Sequence, residues 1–308
     1  MPAVDWDLLT AAMEELGGLG MEASSPIPDA LMISSSRKSS TTYAFCTLIH
    51  GNEIGAMPAF RDFIEVIKKN PGSLKHNVLL VLGNIPAAKA GRRFIDRDLN
   101  RSFGIQDTSS WETRRAKELQ GILKKCTFLV DFHQTIEATQ TPFFIFSYSR
   151  ERINFANGLN HQFPIVTYLG DFSRDGLPLD DYAQTLGVIG VTLELGQIGG
   201  DALQRQLALQ IMLRTLALDP FAKSSERNLL YTWADILKKE NFPGAQLRKG
   251  LVNFQDIAAG EILGHYNMGK IIAPKSGYVL FPKYAQHLQN SSELCRIIVR
   301  ADIGEFPA

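Results

Sequence analysis

Two histidines and two glutamates in this chain stand where apolar runs end, and their types and spacing suit metal-assisted hydrolysis. His50 and Glu53 form a His-x-x-Glu pair in the segment HGNE (50–53). Across a turn from strand to helix, that spacing aims an imidazole and a carboxylate at one point. His133 closes the run TFLVDF (127–132), and Glu194 lies near the end of GVIGVTLEL (187–195). Two histidines and a glutamate are a standard catalytic zinc set, with a fourth position left for water. Zinc brings the pKa of that water to about 7 and polarises a carbonyl. A carboxylate must still take the water's proton and pass it to the leaving nitrogen. Glu194, set in an apolar run, suits that role, because burial raises a carboxyl pKa towards neutrality. Asp131, two residues before His133, shares its strand face and is a candidate to hold that imidazole from behind.

Positive charge comes from the segment 84–109, read as a long loop with Arg92, Arg93, Arg97 and Arg101, and with Asn100 beside the last. Arginine binds carboxylates through paired hydrogen bonds and stabilises an oxyanion forming on a carbonyl. Such a loop serves hydrolysis of an amide near a free carboxylate. Each element has a plainer reading as well. A lone histidine at a strand end is often structural, and Arg92 and Arg97 read as solvated loop charges. Asp96 and Asp98 are metal ligands, loop caps or arginine partners. Glu137 reads as a surface acid. His76, His161, His265 and His287 lie in no partner pattern. Gly196, Gly199 and Gly200 need only be turns.

The elements that must position these groups alternate. Helical spacing covers 5–16 and ends at Gly17-Gly18. Residues 19–42, rich in Ser, Pro and Thr, read as loop with one short strand. The run 43–49 (YAFCTLI) reads as a strand covered on both faces, ending on His50. A helix over 56–69 follows, closed by Asn70-Pro71-Gly72. Strands are expected at 77–82, 127–132, 142–147 and 187–195, with helices at 110–124, 150–160 and 201–218. Strands alternating with helices give an α/β sandwich with a largely parallel sheet. In such a sheet ligands bind outside the carboxyl ends of the strands, where His50, His133 and Glu194 converge. Beyond residue 222 the runs GLVNF, KIIAP, GYVLF and CRIIVR read as a small all-β domain. The expected division is 1–222 and 223–308, with FAKSSERN (221–228) as linker.

The 308 residues are 45% hydrophobic, as in an ordinary globular protein, and 32 basic residues offset 32 acidic ones. A neutral chain has no global field for nucleic acid or an anionic membrane, and Asp96, Asp98 and Asp107 offset the loop arginines. Cys46, Cys126 and Cys295 lie far apart and read as reduced thiols. No basic start precedes an apolar run at the N-terminus, and no uncharged stretch spans a bilayer. A cytoplasmic protein is expected, with homo-oligomer formation left open.

The segments HGNE (50–53), RRFIDRDLNRSF (92–103), VDFHQT (130–135) and LELG (193–196) together resemble the succinylglutamate desuccinylase/aspartoacylase family, a branch of the zinc carboxypeptidase superfamily. Four motifs in consistent order over residues 43–200 make the resemblance specific. It implies a three-layer α/β/α carboxypeptidase-like domain with a small β domain that narrows the entrance. It implies one Zn2+ on His50, Glu53 and His133, and Glu194 as general base and acid. It places Arg93 on the arginine that polarises the scissile carbonyl, and Asn100 and Arg101 on the pair that holds a substrate carboxylate. The implied substrate is an N-acylated amino acid. A metallocarboxypeptidase acting on a peptide or cell-wall fragment is the alternative, and a non-catalytic zinc-binding homologue is a third reading. The chain also departs from the family pattern. Gln184 stands where aspartoacylases carry a further arginine, which bears on a second substrate carboxylate. Phe94 stands where they usually show tyrosine, and Tyr278 and Tyr284 are the candidates for their C-terminal tyrosine.

Overall fold

The computed structural model describes residues 5–171, 176–199, 201–217, 227–284, 286–287 and 291–307. In chain order the first strands are β1 (Ala23–Ser24), β2 (Ala30–Ile33), β3 (Thr42–Thr47), β4 (Asn77–Leu82) and β5 (Phe128–Thr135). They are followed by β6 (Phe143–Ser147), β7 (Ile165–Tyr168), β8 (Ile189–Gln197), β9 (Leu230–Lys238) and β10 (Gln246–Leu247). The last are β11 (Asp256–Ile257), β12 (Ile262–Tyr266), β13 (Gly269–Ile272), β14 (Gly277–Leu280) and β15 (Glu293–Arg300). The helices are α1 (Leu8–Gly18), α2 (Met57–Lys69), α3 (Ile85–Lys89), α4 (Trp111–Leu123), α5 (Arg150–Leu159), α6 (Leu179–Thr185) and α7 (Ala202–Ala217).

Alternation along the central strands sends side chains to two faces. Tyr43 and Phe45, Val78 and Leu80, Phe128, Val130 and Phe132 enter one core. Ala44 and Cys46, Leu79 and Val81, and Leu129 enter the other. The first core is covered by α1, α2, α5 and α7; on α2, Met57, Phe60, Ile64 and Ile67 recur at helical spacing. The second is covered by α4, through Ala116, Leu119, Ile122 and Leu123, and by α6, through Leu179 and Ala183. Both faces are therefore dry, which is why these strands read as unbroken apolar runs. Beside the site, Phe132 stacks on Phe45 at 6.2 Å and meets Phe60 edge-on at 6.4 Å, fixing the strand that carries His133.

The main sheet has the order β1-β2-β4-β3-β5-β8-β6-β7-β9-β15-β14-β11. The mixed sheet expected is found, but it is not mostly parallel, since antiparallel pairings slightly outnumber parallel ones. Parallel pairing joins β4, β3, β5 and β8, and again β6, β7 and β9. Antiparallel pairing holds β6 to β8 and the strands at both edges. The region after residue 227 is strand-rich, but it does not stand apart. Strand β9 pairs in parallel with β7, Ile165 opposite Leu230, and carries the sheet onwards into β15, β14 and β11. A three-stranded sheet, β10-β12-β13, completes this region around Leu247, Ile257, Leu263, Ile271 and Ile297. The expected boundary at 222/223 and most of the expected linker 221–228 lie outside the described residues. Of the apolar runs expected as C-terminal strands, GLVNF contributes only an isolated bridge at Asn253. Among the described residues no helix is long and apolar enough to cross a membrane.

Candidate active site

His50, Glu53 and His133 converge, all buried, with one ligand atom from each within 4.8 Å of the others. His50 is not the end residue of its strand. Strand β3 stops at Thr47, Leu48 adopts a left-handed φ of 60°, and His50 lies in the turn beyond. Gly51 permits that turn, because a Cβ there would collide with the backbone of Ala87 and Ala88 on α3. His133 sits inside β5, which runs on to Thr135, and pairs in register with Glu194 on β8. Parallel neighbours thus carry the metal-type histidine and the free carboxylate side by side.

Hydrogen bonds fix the orientation of both rings. His133 Nε2 lies 2.8 Å from Asp131 Oδ2, and His50 Nε2 lies 3.1 Å from Asp98 Oδ1. In the tautomer that donates each Nε2–H to its carboxylate, each Nδ1 presents a lone pair. Those two Nδ1 atoms are 3.1 Å apart, and each is 2.8 Å from an oxygen of Glu53. Lone pairs facing one another at such distances repel unless a cation sits among them. The donor set, two imidazole nitrogens and one carboxylate, is one that zinc takes. The residues present therefore fit a metal ion.

The local charges agree. Burial opposes ionisation of Glu53, but His50 and His133 outweigh it and hold the carboxyl well below its usual range. Burial likewise opposes a charged His133, but Asp131 and Glu53 outweigh it and raise its pKa, so these groups favour a cation among them, whether a second ring proton or a metal ion. Burial would raise Asp98; His50, Arg93 and Arg101 overcome it and keep that carboxyl ionised. Glu194 differs. Burial pushes its carboxyl up to about 8, with Glu53 and Asp131 adding to the rise against His133 and Arg93. Its buried Oε2 has no hydrogen-bond partner among the described residues, which leaves that oxygen available for a proton beside the ligand cluster.

Arg93 is the loop arginine that reaches this cluster. It donates to Glu53 Oε1 at 3.2 Å and to Asp98 Oδ2 through Nε and Nη2 at 3.3 and 3.2 Å. Because His50 and Arg93 both donate to Asp98, His50 Nε2 and Arg93 Nη2 come within 2.6 Å. Asn100 and Arg101 lie on a single 3-10 turn, capped by Asp98, which accepts from Asn100 N at 2.8 Å. The Asn100 side-chain oxygen accepts from Leu179 N at 2.8 Å, pinning α6 to the loop, while Arg101 is exposed. Arg97 spends a donor on Arg101 O at 3.2 Å.

Several organising residues escaped the sequence reading. Glu112 is fully buried, and its carboxylate accepts from Ile95 N, Asp96 N and Arg97 N at 2.7, 3.1 and 3.2 Å and from Asn84 Nδ2 at 3.0 Å. One acid on α4 thus holds the loop that carries Arg93; an acid in a helix first turn reads from sequence as a dipole partner. Gln134 N donates to Glu53 Oε2 at 3.0 Å, and its side chain accepts from Gly55 N at 2.8 Å and donates to Gln197 O at 3.0 Å. Of the open readings for Asp98, it is both cap and arginine partner, and it also orients His50. Glu137 is not a free surface acid, since His287 lies 3.2 Å away.

Gln184 is turned inwards, and its Oε1 accepts from Arg152 Nη1 at 2.8 Å. Arg152 is 1% exposed and paired with Asp180 and Asp181, so Gln184 completes a buried structural cluster. Tyr284 spends its hydroxyl on Leu251, and Tyr278 packs edge-on against Tyr231 at 5.3 Å. The three cysteines are buried and free.

The layered α/β fold thus carries a buried His-Glu-His set that could hold a metal ion, beside the glutamate on the neighbouring strand. The model of the succinylglutamate desuccinylase/aspartoacylase catalytic domain matches residues 40–218, and the chain belongs to that family. A probable aspartoacylase of Prochlorococcus marinus subsp. pastoris is 31% identical over 157 residues, 48% of this chain and 51% of that protein. The match thus spans about half the length of that relative. A succinylglutamate desuccinylase of Pseudoalteromonas atlantica is 24% identical over 289 residues, 83% of this chain and 81% of its own. The crystal structure of the succinylglutamate desuccinylase from Chromobacterium violaceum superposes with a TM-score of 0.76 at 18% identity, covering 99% of this chain and 100% of that one, which establishes the shared fold.

Proposed function

We propose that this protein is a zinc-dependent deacylase that hydrolyses the amide of an N-acylated amino acid. The observation that carries the reading is the cluster of inward-facing lone pairs on His50, Glu53 and His133, set beside the unpartnered Glu194. A zinc ion held there supplies Lewis acidity, which activates a water and polarises a carbonyl near neutral pH.

The chain's own residues do the rest. Glu194 takes a proton from the attacking water as the new C–O bond forms, and returns it to the amide nitrogen as the C–N bond breaks. The products are a carboxylate and a free amine. Arg93, free to leave Asp98 because its side chain is only partly buried, places a guanidinium on the oxyanion. Asn100 and Arg101 hold a substrate carboxylate, Arg101 by paired hydrogen bonds. Asp98 and Asp131 keep both imidazoles in one tautomer. The family relatives named desuccinylase and aspartoacylase support the same bond and substrate class.

The test is a hydrolysis screen of N-acetyl, N-succinyl and N-formyl amino acids beside short peptides, with and without a chelator. Chelator-sensitive cleavage of an acylamino acid is expected, and Glu194→Gln should keep its zinc while losing roughly a hundredfold or more of kcat. Near-normal turnover in that variant refutes the role given to Glu194, and preferred cleavage of peptides turns the reading towards a carboxypeptidase.

A further inference from the structure

Gly196 reads from sequence as a turn residue, and its part in the structure is larger. It adopts a φ of 145°, and a Cβ there would press on the side-chain amide of Gln204. A Cβ on Gly55 would collide with the side chains of both Gln204 and Gln134. Two glycines from distant parts of the chain thus leave room for one pair of amides. Gln134 and Gln204 are 3% and 5% exposed, so their polar atoms need partners within the fold.

Those partners lead to the candidate site. Gln134 follows His133 at an irregularity in the β5–β8 register. Alternation turns its side chain away from the face that His133 uses, and it meets Gly55 ahead of α2 and Gln204 in α7. Gln134 Oε1 accepts from Gly55 N at 2.8 Å, and Gln134 N donates to Glu53 Oε2 at 3.0 Å. Gln134 Nε2 donates one hydrogen to Gln197 O at 3.0 Å and the other to Gln204 Oε1. Gln204 Nε2 donates to the same Gln197 carbonyl at 2.8 Å, on the strand that carries Glu194. Gln204 is itself fixed at the start of α7, where its backbone N donates to Asp201 Oδ1 at 2.8 Å. Take Gln204 away, and one Nε2 hydrogen of Gln134 loses its acceptor. Less then holds the plane of the amide on which Gly55 rests, and with it the turn that bears Glu53. Every side chain in this relay is a neutral amide, so it can set position without adding charge beside the ligands.

Resting on the metal site of the deacylase reading, we propose that Gln204 is a positioning residue. Through Gln134 it holds the Glu53 carboxylate in its place among the candidate ligands, and through Gln197 it fixes the end of the strand that brings Glu194 beside them. Zinc affinity, read by competition with a chelator of known strength, tests this without turnover. Gln204→Met keeps the length of the side chain and removes both of its hydrogen bonds. It should weaken zinc binding roughly tenfold, the lower end of the loss expected when support behind a metal ligand is removed. Gln204→Asn falls a methylene short of Gln134 and should give the same loss; it carries the test if Gln204→Met does not fold. Gln204→Glu keeps an acceptor for Gln134 and should retain most of the affinity. Gln134→Met should also weaken zinc, and adding Gln204→Met to it should cost little more, because the two act through one contact. Arg205→Ala breaks the ion pair with Asp62 that ties α7 to α2, one position along, and should leave zinc binding as in wild type. That control separates positioning from a general loosening of the helix. Wild-type affinity in Gln204→Met and Gln204→Asn, or an equal loss in Arg205→Ala, overturns the proposal. A protein in which Gln204→Met weakens zinc but which cleaves no acylamino acid refutes the deacylase reading alone, and a wild type that takes up no zinc overturns both.

Discussion

Removing the Glu112 carboxylate should unfasten the loop that carries Arg93 without touching a candidate metal ligand. Its two oxygens divide the work. Oε1 takes Ile95 N and Asn84 Nδ2, and Oε2 takes Asp96 N and Arg97 N. Hydrogen bonds to a charged acceptor are worth about 1.5–3 kcal/mol each when the donor is left stranded. Ile95 and Asp96 are exposed, so water can reclaim their N–H groups, whereas Asn84 and Glu112 are both 0% exposed and Asn84 cannot be rescued. Glu112→Ala should therefore cost on the order of 3–5 kcal/mol, and lower Tm by roughly 5–8 °C for a chain of this size. Glu112→Gln is the sharper control. A carboxamide keeps one oxygen and sets its NH2 against two backbone N–H groups, so about 2–4 kcal/mol should still be lost. Because Arg93 rides on the same loop, kcat/KM should fall about 10–100-fold in both variants. Thermal melts and turnover on the best substrate of the screen give both readouts. A Glu112→Ala protein melting within about 2 °C of wild type, with normal turnover, refutes the claim that this one acid holds the loop.

Metal analysis should find one zinc per chain in the purified protein and almost none in His133→Ala; equal zinc in both rejects the ligand assignment. Asp98→Ala and Asp131→Ala should retain the site but weaken metal affinity roughly 10–100-fold, read by competition with a chelator of known strength. A pH effect is expected at Asp180. Burial and the neighbouring Asp181 raise its carboxyl to about 7 against Arg152. A folded-state pKa above the unfolded value gives stability that is full below about 4 and is lost as pH rises towards 7. Asp180→Asn mimics the protonated form, so its Tm relative to wild type should improve as pH is taken from 5 to 8, and a difference flat across that range contradicts the assignment.

The strand runs legible in the sequence are those buried on both faces. Asn77–Leu82 coincides with its apolar run, and Thr42–Thr47 and Phe143–Ser147 differ from theirs by a residue or two. The short elements were not legible. Strand Ile165–Tyr168 and helices Ile85–Lys89 and Leu179–Thr185 are too brief to show a period. Strand Leu230–Lys238 was missed for another reason. Most of its residues are only half-buried, so neither an unbroken nor an alternating apolar pattern marks it. That omission is why the C-terminal strands read as a separate domain. At the site, His50, Glu53, His133 and Glu194 stood out because they are chemical residues ending apolar runs, and Asp131 because it shares a strand face with His133. Glu112 and Gln134 act through contacts made 15 to 81 positions away, and Asp98 orients His50 across 48, which no local pattern records. Gln184 is the opposite case: the family resemblance gave its position, and the structure adds a contact with Arg152 that the sequence did not suggest.

The join between β7 and β9 bears on what can be removed from this protein. Strand β7 lies on the inside of the sheet only because β9 covers it, from Ile165 opposite Leu230 to Thr167 opposite Thr232. A chain cut short before residue 227 would keep every candidate catalytic residue and still expose β7 as a raw edge, with its row of unpaired N–H and C=O groups. It would also uncover the Phe143 and Val166 side chains that Tyr231, Phe254 and Ile298 now shield. Such a fragment has the makings of a template for other strands. Its expected failure is precipitation or fibre-like stacking, because the C-terminal strands cover the edge and the apolar surface of the part that carries the candidate site.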